Sequence, residues 1–451
     1  MLHAFDDATG GELWAFIPSN LLPKLKNLNG SLIEFFVDGS PKIYVERDGS
    51  NNITKAILIF GQRRGGNRYT ALDVTDRLNP KFLWEINPSG RIFETTTYNT
   101  TDYKELGQTW STPQIGKIRN GSGEKWVAFI AAGYDPNQDN IPVLNADTMG
   151  RGIYVVDILT GEKIWRYTKD EDPSRMVYSI PSDIAKLDVT GDGKIDRLYV
   201  GDTGGRIWRF DIGDASNVAS WTGNIIFQGN GKIFYPPDVT LENDSGNYEM
   251  LFFGTGDREN PKGDLTYINR LYAVKDKTPY PHTPMTESDL KDVTEDLLQE
   301  PSTPDSIKTS IINELRGKNG WYIKLDQRPG EKCLSSPVVF YGVVYYTTFA
   351  PTVQNQTNIC YLGPGSGIFY AVDYKTGTAV FNLDATNDTT QGEVIKRSDR
   401  SKVIGPAIPS SVIVTIIGGM SSGYVGIGGG VYVPEVLKKK ILIPLNWKMV
   451  F

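Results

Sequence analysis

The sequence predicts an all-β fold, a modified β-propeller of about seven blades with a small helical insertion, and three observations carry that prediction. Glycine (47) and proline (26) are abundant in a chain of 451 residues, so turns are frequent. One hairpin pattern recurs at irregular spacing: an alternating strand, a turn with Asp and usually Thr-Gly, then a strand ending on an aromatic. Further strand-like apolar runs lie between the copies. Radial repetition with insertions fits this arrangement better than a strict solenoid.

The pattern begins with "AFDDATGGELWAF" at residue 4 and continues with "TALDVTDRLNPKFLWEI" at 70 and "YVVDILTGEKIWRY" at 154. "YVGDTGGRIWRFDI" at 199 is shorter, "RLYAVKDKTPY" at 270 has decayed, and "FYAVDYKTGTAVFNL" at 369 is the last clear copy. Gly permits positive φ in each turn, and the Asp or Thr side chain can accept from nearby backbone amides. Trp14, Trp84, Trp165 and Trp208 are predicted to fill the space between packed sheets. The runs at 56–62, 125–135, 250–257 and 342–351 supply the remaining strands. The charged segment 285–320 breaks the pattern and is spaced like two short amphipathic helices, parted at Ser302-Thr303-Pro304, with Gly317 capping the second. It reads as a helical insertion within a single propeller domain over 1–451.

A net charge of −6 offers no broad basic face for nucleic acid, and Lys438-Lys439-Lys440 reads as a solvated edge. No run approaches the roughly 20 apolar residues of a membrane helix. The opening residues lack the basic and apolar regions of a leader, so an exported protein would carry its leader upstream of this fragment. Cys333 and Cys360 either form one disulfide, which implies an oxidising compartment, or lie buried and free. With only two histidines, His3 and His282, the chain does not spell a zinc site.

The sharpest local signal is "DVTGDGKIDR" at 188–197, which sets Asp188, Thr190, Asp192 and Asp196 at alternating positions. Such spacing brings hard oxygens to one point, as in the first half of an EF-hand loop, with Gly193 at the sharp bend. Lys194 would turn its side chain outwards and contribute its backbone carbonyl. Tyr199 stands where a true EF-hand carries a bidentate Glu, so Asp196 is the closing carboxylate of a shortened loop between two strands. The donor set suits Ca²⁺, with affinity weakened by Thr190. "DPNQDN" at 135–140 spaces Asp135, Asn137 and Asp139 likewise, but lacks the glycine and the later carboxylate.

No GxSxG elbow or Walker A sequence occurs, and Cys333 has no nearby His to activate it. The Trp hairpins resemble those of quinoprotein dehydrogenases, which hold pyrroloquinoline quinone. That alternative lacks the vicinal cysteine pair on which many such enzymes stack their cofactor. Outer-membrane assembly scaffolds share the repeat but not the calcium loop.

Residues 1–25, 65–85, 106–118, 188–212 and 330–351 together resemble the C-terminal propeller of the type IV pilus biogenesis PilY family, as does the closing "IPSSVIVTIIGG…GIGGG". The match to 402 onward is looser. The resemblance implies a non-enzymatic, exported, cell-surface module associated with the pilus, at the outer membrane or fimbrium. It implies minor pilins or the pilus tip as partners, a host or abiotic surface ligand, and roles in pilus extension against retraction, adhesion and twitching motility. Carried over by position, its calcium ligands are Asp188, Thr190, Asp192, the Lys194 carbonyl and Asp196.

Overall fold

The apolar runs fold as strands: Ile53–Gly61, Gly123–Ala131, Tyr248–Gly254 and Val343–Ala350, the last two buried along their whole length. The computed structural model describes the chain except for residues 31–32, 140–145, 245, 278–282, 353–364, 391 and 438–451. Among the described residues the strands form seven sheets. No helix among them is long and apolar enough to cross a membrane. The chain divides into two units. One is Met1–Gln138, Leu144–Thr203 and Arg209–Asn224; the other is Asp139–Val143, Gly204–Trp208 and Ile225–Phe451.

The first unit holds the hairpin Leu2–Phe5 and Glu12–Phe16, a six-stranded meander from Lys42–Arg47 to Thr96–Asn99, and a four-stranded sheet from Gln114–Asn120 to Lys163–Thr168. Period-two alternation turns Ile57, Ile59, Tyr69, Trp84, Ala128, Ile130, Tyr154 and Val156 into one core. The second unit holds three sheets of its own, spanning Asp238–Lys324, Lys332–Pro406 and Ile413–Tyr432, and a further sheet takes its strands from residues 185–286.

The recurrent tryptophan does more than fill space. Trp14, Trp84 and Trp321 each lie opposite a small residue of the preceding strand, Ala4, Ala71 and Ala273. Their indole N–H groups reach onward to turn carbonyls: Arg77 at 2.9 Å, Ile158 at 2.8 Å and Tyr374 at 3.1 Å. Gly161, at φ +66°, lies so close under Trp84 that a Cβ there would stand 2.7 Å from the ring. Each indole thus fastens its own strand to the turn of the next hairpin. Trp165 instead joins an aromatic group with Tyr167, Phe210 and Trp221, and Trp208 is fully buried.

Three expectations change. The segment 285–320 contains one α-helix, Asp305–Gly317, not two. Its first half forms two-residue strands, Met285–Thr286 and Lys291–Asp292, around a 3-10 turn, and each short strand pairs in parallel with a sheet. The helix closes through the Lys318 amide on the Glu314 carbonyl, with Lys318 in extended geometry, so Gly317 is not a left-handed cap. The decayed copy at 270 is completed from beyond the insertion: Arg270–Lys277 pairs with Gly320–Lys324, which carries Trp321. In the copy at 369, the second strand shrinks to a single bridge between Val372 and Ala379. There the Gln299 side chain takes both backbone groups of Ala379, at 2.8 and 2.9 Å, in place of a partner strand.

Candidate metal centre

The loop 188–196 joins the antiparallel strands Ala185–Leu187 and Arg197–Gly201, with Leu187 opposite Arg197. Backbone bonds pin its closing end. The Asp196 amide donates to Leu187, the Asp196 carbonyl accepts from Ile212, and the Ile195 amide donates to Lys117 on the strand Gln114–Asn120. The Ile195 side chain is buried against Gly116, where a Cβ would meet it at 2.9 Å. The tip is built differently. Gly191 and Gly193 both take positive φ, +74° and +81°, and curl the chain with open space around them.

That curl turns three amides towards Asp188. Its Oδ1 accepts from Gly191 at 2.6 Å and Asp192 at 3.1 Å, and its Oδ2 from Gly193 at 2.6 Å. Asp196 Oδ2 accepts from the amide and hydroxyl of Thr190 at 3.0 and 2.9 Å. Asp192 Oδ1 accepts from the Lys194 amide. The Lys194 ammonium does not turn outwards as the sequence predicted. It folds back to 3.4 Å from Asp192 Oδ2, drawn by that charge. The five predicted positions therefore share one exposed loop. In this arrangement, no group of three or more His, Cys, Asp or Glu side chains is gathered as a metal cage among the described residues.

A cation is nevertheless present between them, and sequence reasoning missed it. Arg119 reaches from the strand Gln114–Asn120, with Nη2 2.8 Å and Nε 3.2 Å from Asp192 Oδ2. The same Nη2 lies 3.5 Å from Thr190 Oγ1 and 3.8 Å from Asp196 Oδ1. This guanidinium bond, foremost, takes the Asp192 carboxyl down to about 2, and Asp192 in turn raises Arg119. A stand-in cation among three of the predicted oxygen donors, all hard, fits the loop to a divalent ion such as Ca²⁺.

The other candidates serve the fold. Asp135 is buried and accepts from the amides of Asn137, Thr148 and Met149 and from the Thr148 hydroxyl. Cys333 is a free, buried thiol that donates to the Ser335 and Thr347 carbonyls; burial pushes it up to about 12, so it stays protonated at neutral pH. Cys360, His282 and Lys438-Lys439-Lys440 lie outside the described residues.

Comparison with known proteins adds the family. The PilY1 beta-propeller domain matches residues 1–230. The chain is 28% identical over 416 residues to a type IV pilus biogenesis factor PilY1 homolog of Xylella fastidiosa, across 84% of this chain and 26% of that protein. It is 27% identical over 460 residues to the type IV pilus biogenesis factor PilY1 of Pseudomonas aeruginosa, across 89% and 36%. The chain thus spans only about a quarter to a third of the length of these curated relatives. The crystal structure of the Pseudomonas aeruginosa PilY1 C-terminal domain superposes with a TM-score of 0.65 at 20% identity, covering 96% of this chain and 90% of that one. That likeness shows the β-propeller fold.

Proposed function

The chain belongs to the PilY1 β-propeller domain family, and on that premise we propose that residues 1–451 act as the calcium-responsive, non-enzymatic propeller of a type IV pilus biogenesis protein. In this reading the protein is exported and pilus-associated, at the outer membrane or fimbrium. It works with minor pilins at the pilus tip, supports extension against retraction, and serves twitching motility and adhesion to a host or abiotic surface. The observation that carries the calcium element is the acidic loop with Arg119 lodged among its oxygens.

Asp188, Thr190, Asp192, the Lys194 carbonyl and Asp196 are the residues that would hold the ion. When bound, calcium supplies two positive charges that offset three carboxylates crowded into nine positions. The backbone bonds at Ile195 and Asp196 keep the closing end of the loop in place. The glycines at 191 and 193 leave its tip able to adjust, so a change of ligation is felt at the surface and not in the core.

Asp196→Ala tests this. Its calcium affinity, read by calorimetry, is expected to fall at least tenfold while the thermal melt of the metal-free chain changes little. Cells carrying the substitution in the full-length protein are expected to twitch less. An unchanged isotherm would defeat the assignment.

A further inference from the structure

Resting on the calcium reading above, we propose that Arg119 is the resident counter-cation of the 188–196 loop and must leave it before calcium binds. The side chain occupies oxygens of three of the five proposed ligand positions: Asp192 at 2.8 Å, Thr190 at 3.5 Å and Asp196 at 3.8 Å. The guanidinium and a divalent ion compete for those oxygens. Two cations drawn to the same carboxylates would stand within a few ångströms of each other and repel.

The surroundings favour exchange over collapse. The Arg119 backbone is fixed, paired with Glu124 in its own sheet, and the neighbouring Gly121 amide donates to Asp214 at 2.8 Å. Two residues earlier, the Lys117 carbonyl accepts from Ile195 of the loop itself. Only the side chain needs to move. It is 42% exposed, so its departure returns a charge to water and opens no cavity. Asp214, which bridges to Arg119 through the backbone, is near enough for its charge to act on the guanidinium.

Two consequences separate this arrangement from a plain acidic loop. In the metal-free loop the repulsion between Asp192 and Asp196 is reduced, because a cation lies beside both. The apparent calcium affinity is set by the contest with Arg119 as well as by the weak ligand Thr190. Because an exposed ion pair of this kind is modest, removing it should shift the affinity by about fivefold and not by orders of magnitude.

The test is calcium calorimetry on the chain, on Arg119→Gln and on Lys117→Gln. Lys117→Gln removes one positive charge from the same strand, where the ammonium pairs with Glu124 at 2.6 Å, and leaves the loop alone. Arg119→Gln is expected to bind calcium about fivefold tighter, and Lys117→Gln within about twofold of the unaltered chain. In the unaltered chain, the Arg119 Nε proton is expected to exchange with water faster once calcium is added. Equal tightening in both variants, or none in Arg119→Gln, overturns the Arg119 role and leaves the calcium reading standing. Failure of both the unaltered chain and Arg119→Gln to bind calcium overturns the calcium reading, and this inference with it.

Discussion

Two kinds of acidic turn in this chain use the same residues to different ends. In the turn Asp157–Gly161, Asp157 Oδ1 accepts from the Leu159 and Thr160 amides while Oδ2 accepts from Lys125 at 2.8 Å, and the glycine is pressed under Trp84. Asp373 does the same for the amides of Lys375 and Thr376, with Gly377 against Trp321. In the loop 188–196 the glycines face open space, and the charge of Asp192 is met by two long, partly exposed side chains, Arg119 and Lys194. A turn clamped by an indole has one shape. A turn whose glycines meet open space, and which is held from outside by a side-chain ion pair, has no packed wall to fix its shape, and freedom of that kind is what a ligand-responsive loop requires.

The comparison is open to attack from its strongest point downwards. Trp84→Ala removes a fully buried indole and its bond to Ile158, and is expected to cost about 4 kcal/mol in denaturant unfolding. A loss below about 1 kcal/mol would mean that the docking contact holds little. Gly161→Ala combines strained φ with a 2.7 Å clash and is expected to cost roughly 3 kcal/mol, whereas Gly191→Ala, strained but unobstructed, should cost about 1 kcal/mol. Equal losses at the two glycines would erase the distinction drawn above.

Acid gives the gentlest probe. Burial raises the Asp73 carboxyl, but its bonds to Lys55 and Thr75 outweigh this and bring it to about 2, below the ordinary 3.8. The folded state therefore holds the proton less tightly than the unfolded chain. The resulting stabilisation is full above pH 3.8 and is lost as pH falls through 2. Allowing for screening at this partly exposed turn, Asp73→Asn should remove about 1 kcal/mol of that acid-dependent stability. Identical acid limbs in melts of the two proteins would show that the turn carboxylate contributes nothing.

Local features were legible and distant ones were not. The Asp-Thr-Gly turns and the tryptophans at 14, 84, 165 and 208 stood out because strand, turn and strand are contiguous, so sequence spacing equals spatial spacing. Trp321 escaped because the segment 278–319 separates it from the strand it pairs with. Nothing near Phe369 announced that Gln299 would cap Ala379 in place of a strand. The alternation of Asp188, Thr190, Asp192 and Asp196 within one loop was readable. Arg119 was not, because it comes from another sheet and an isolated arginine on a strand carries no motif. The run of charge across 285–320 falls between two strands that pair with each other, and helix-like spacing overstated its helical content. Two-residue strands that pair in parallel leave too short a pattern to be read.

The hairpin closed by Gly320–Lys324 is held by register and by Trp321, not by a tight turn. The stretch linking its two strands is not spare loop: it pairs two short strands with sheets, sends Gln299 to Ala379 and buries Val293, Ile311 and Leu315 in the core. An insertion that interrupts a hairpin has thereby become part of its packing, so shortening it would cost core and pairing as well as chain.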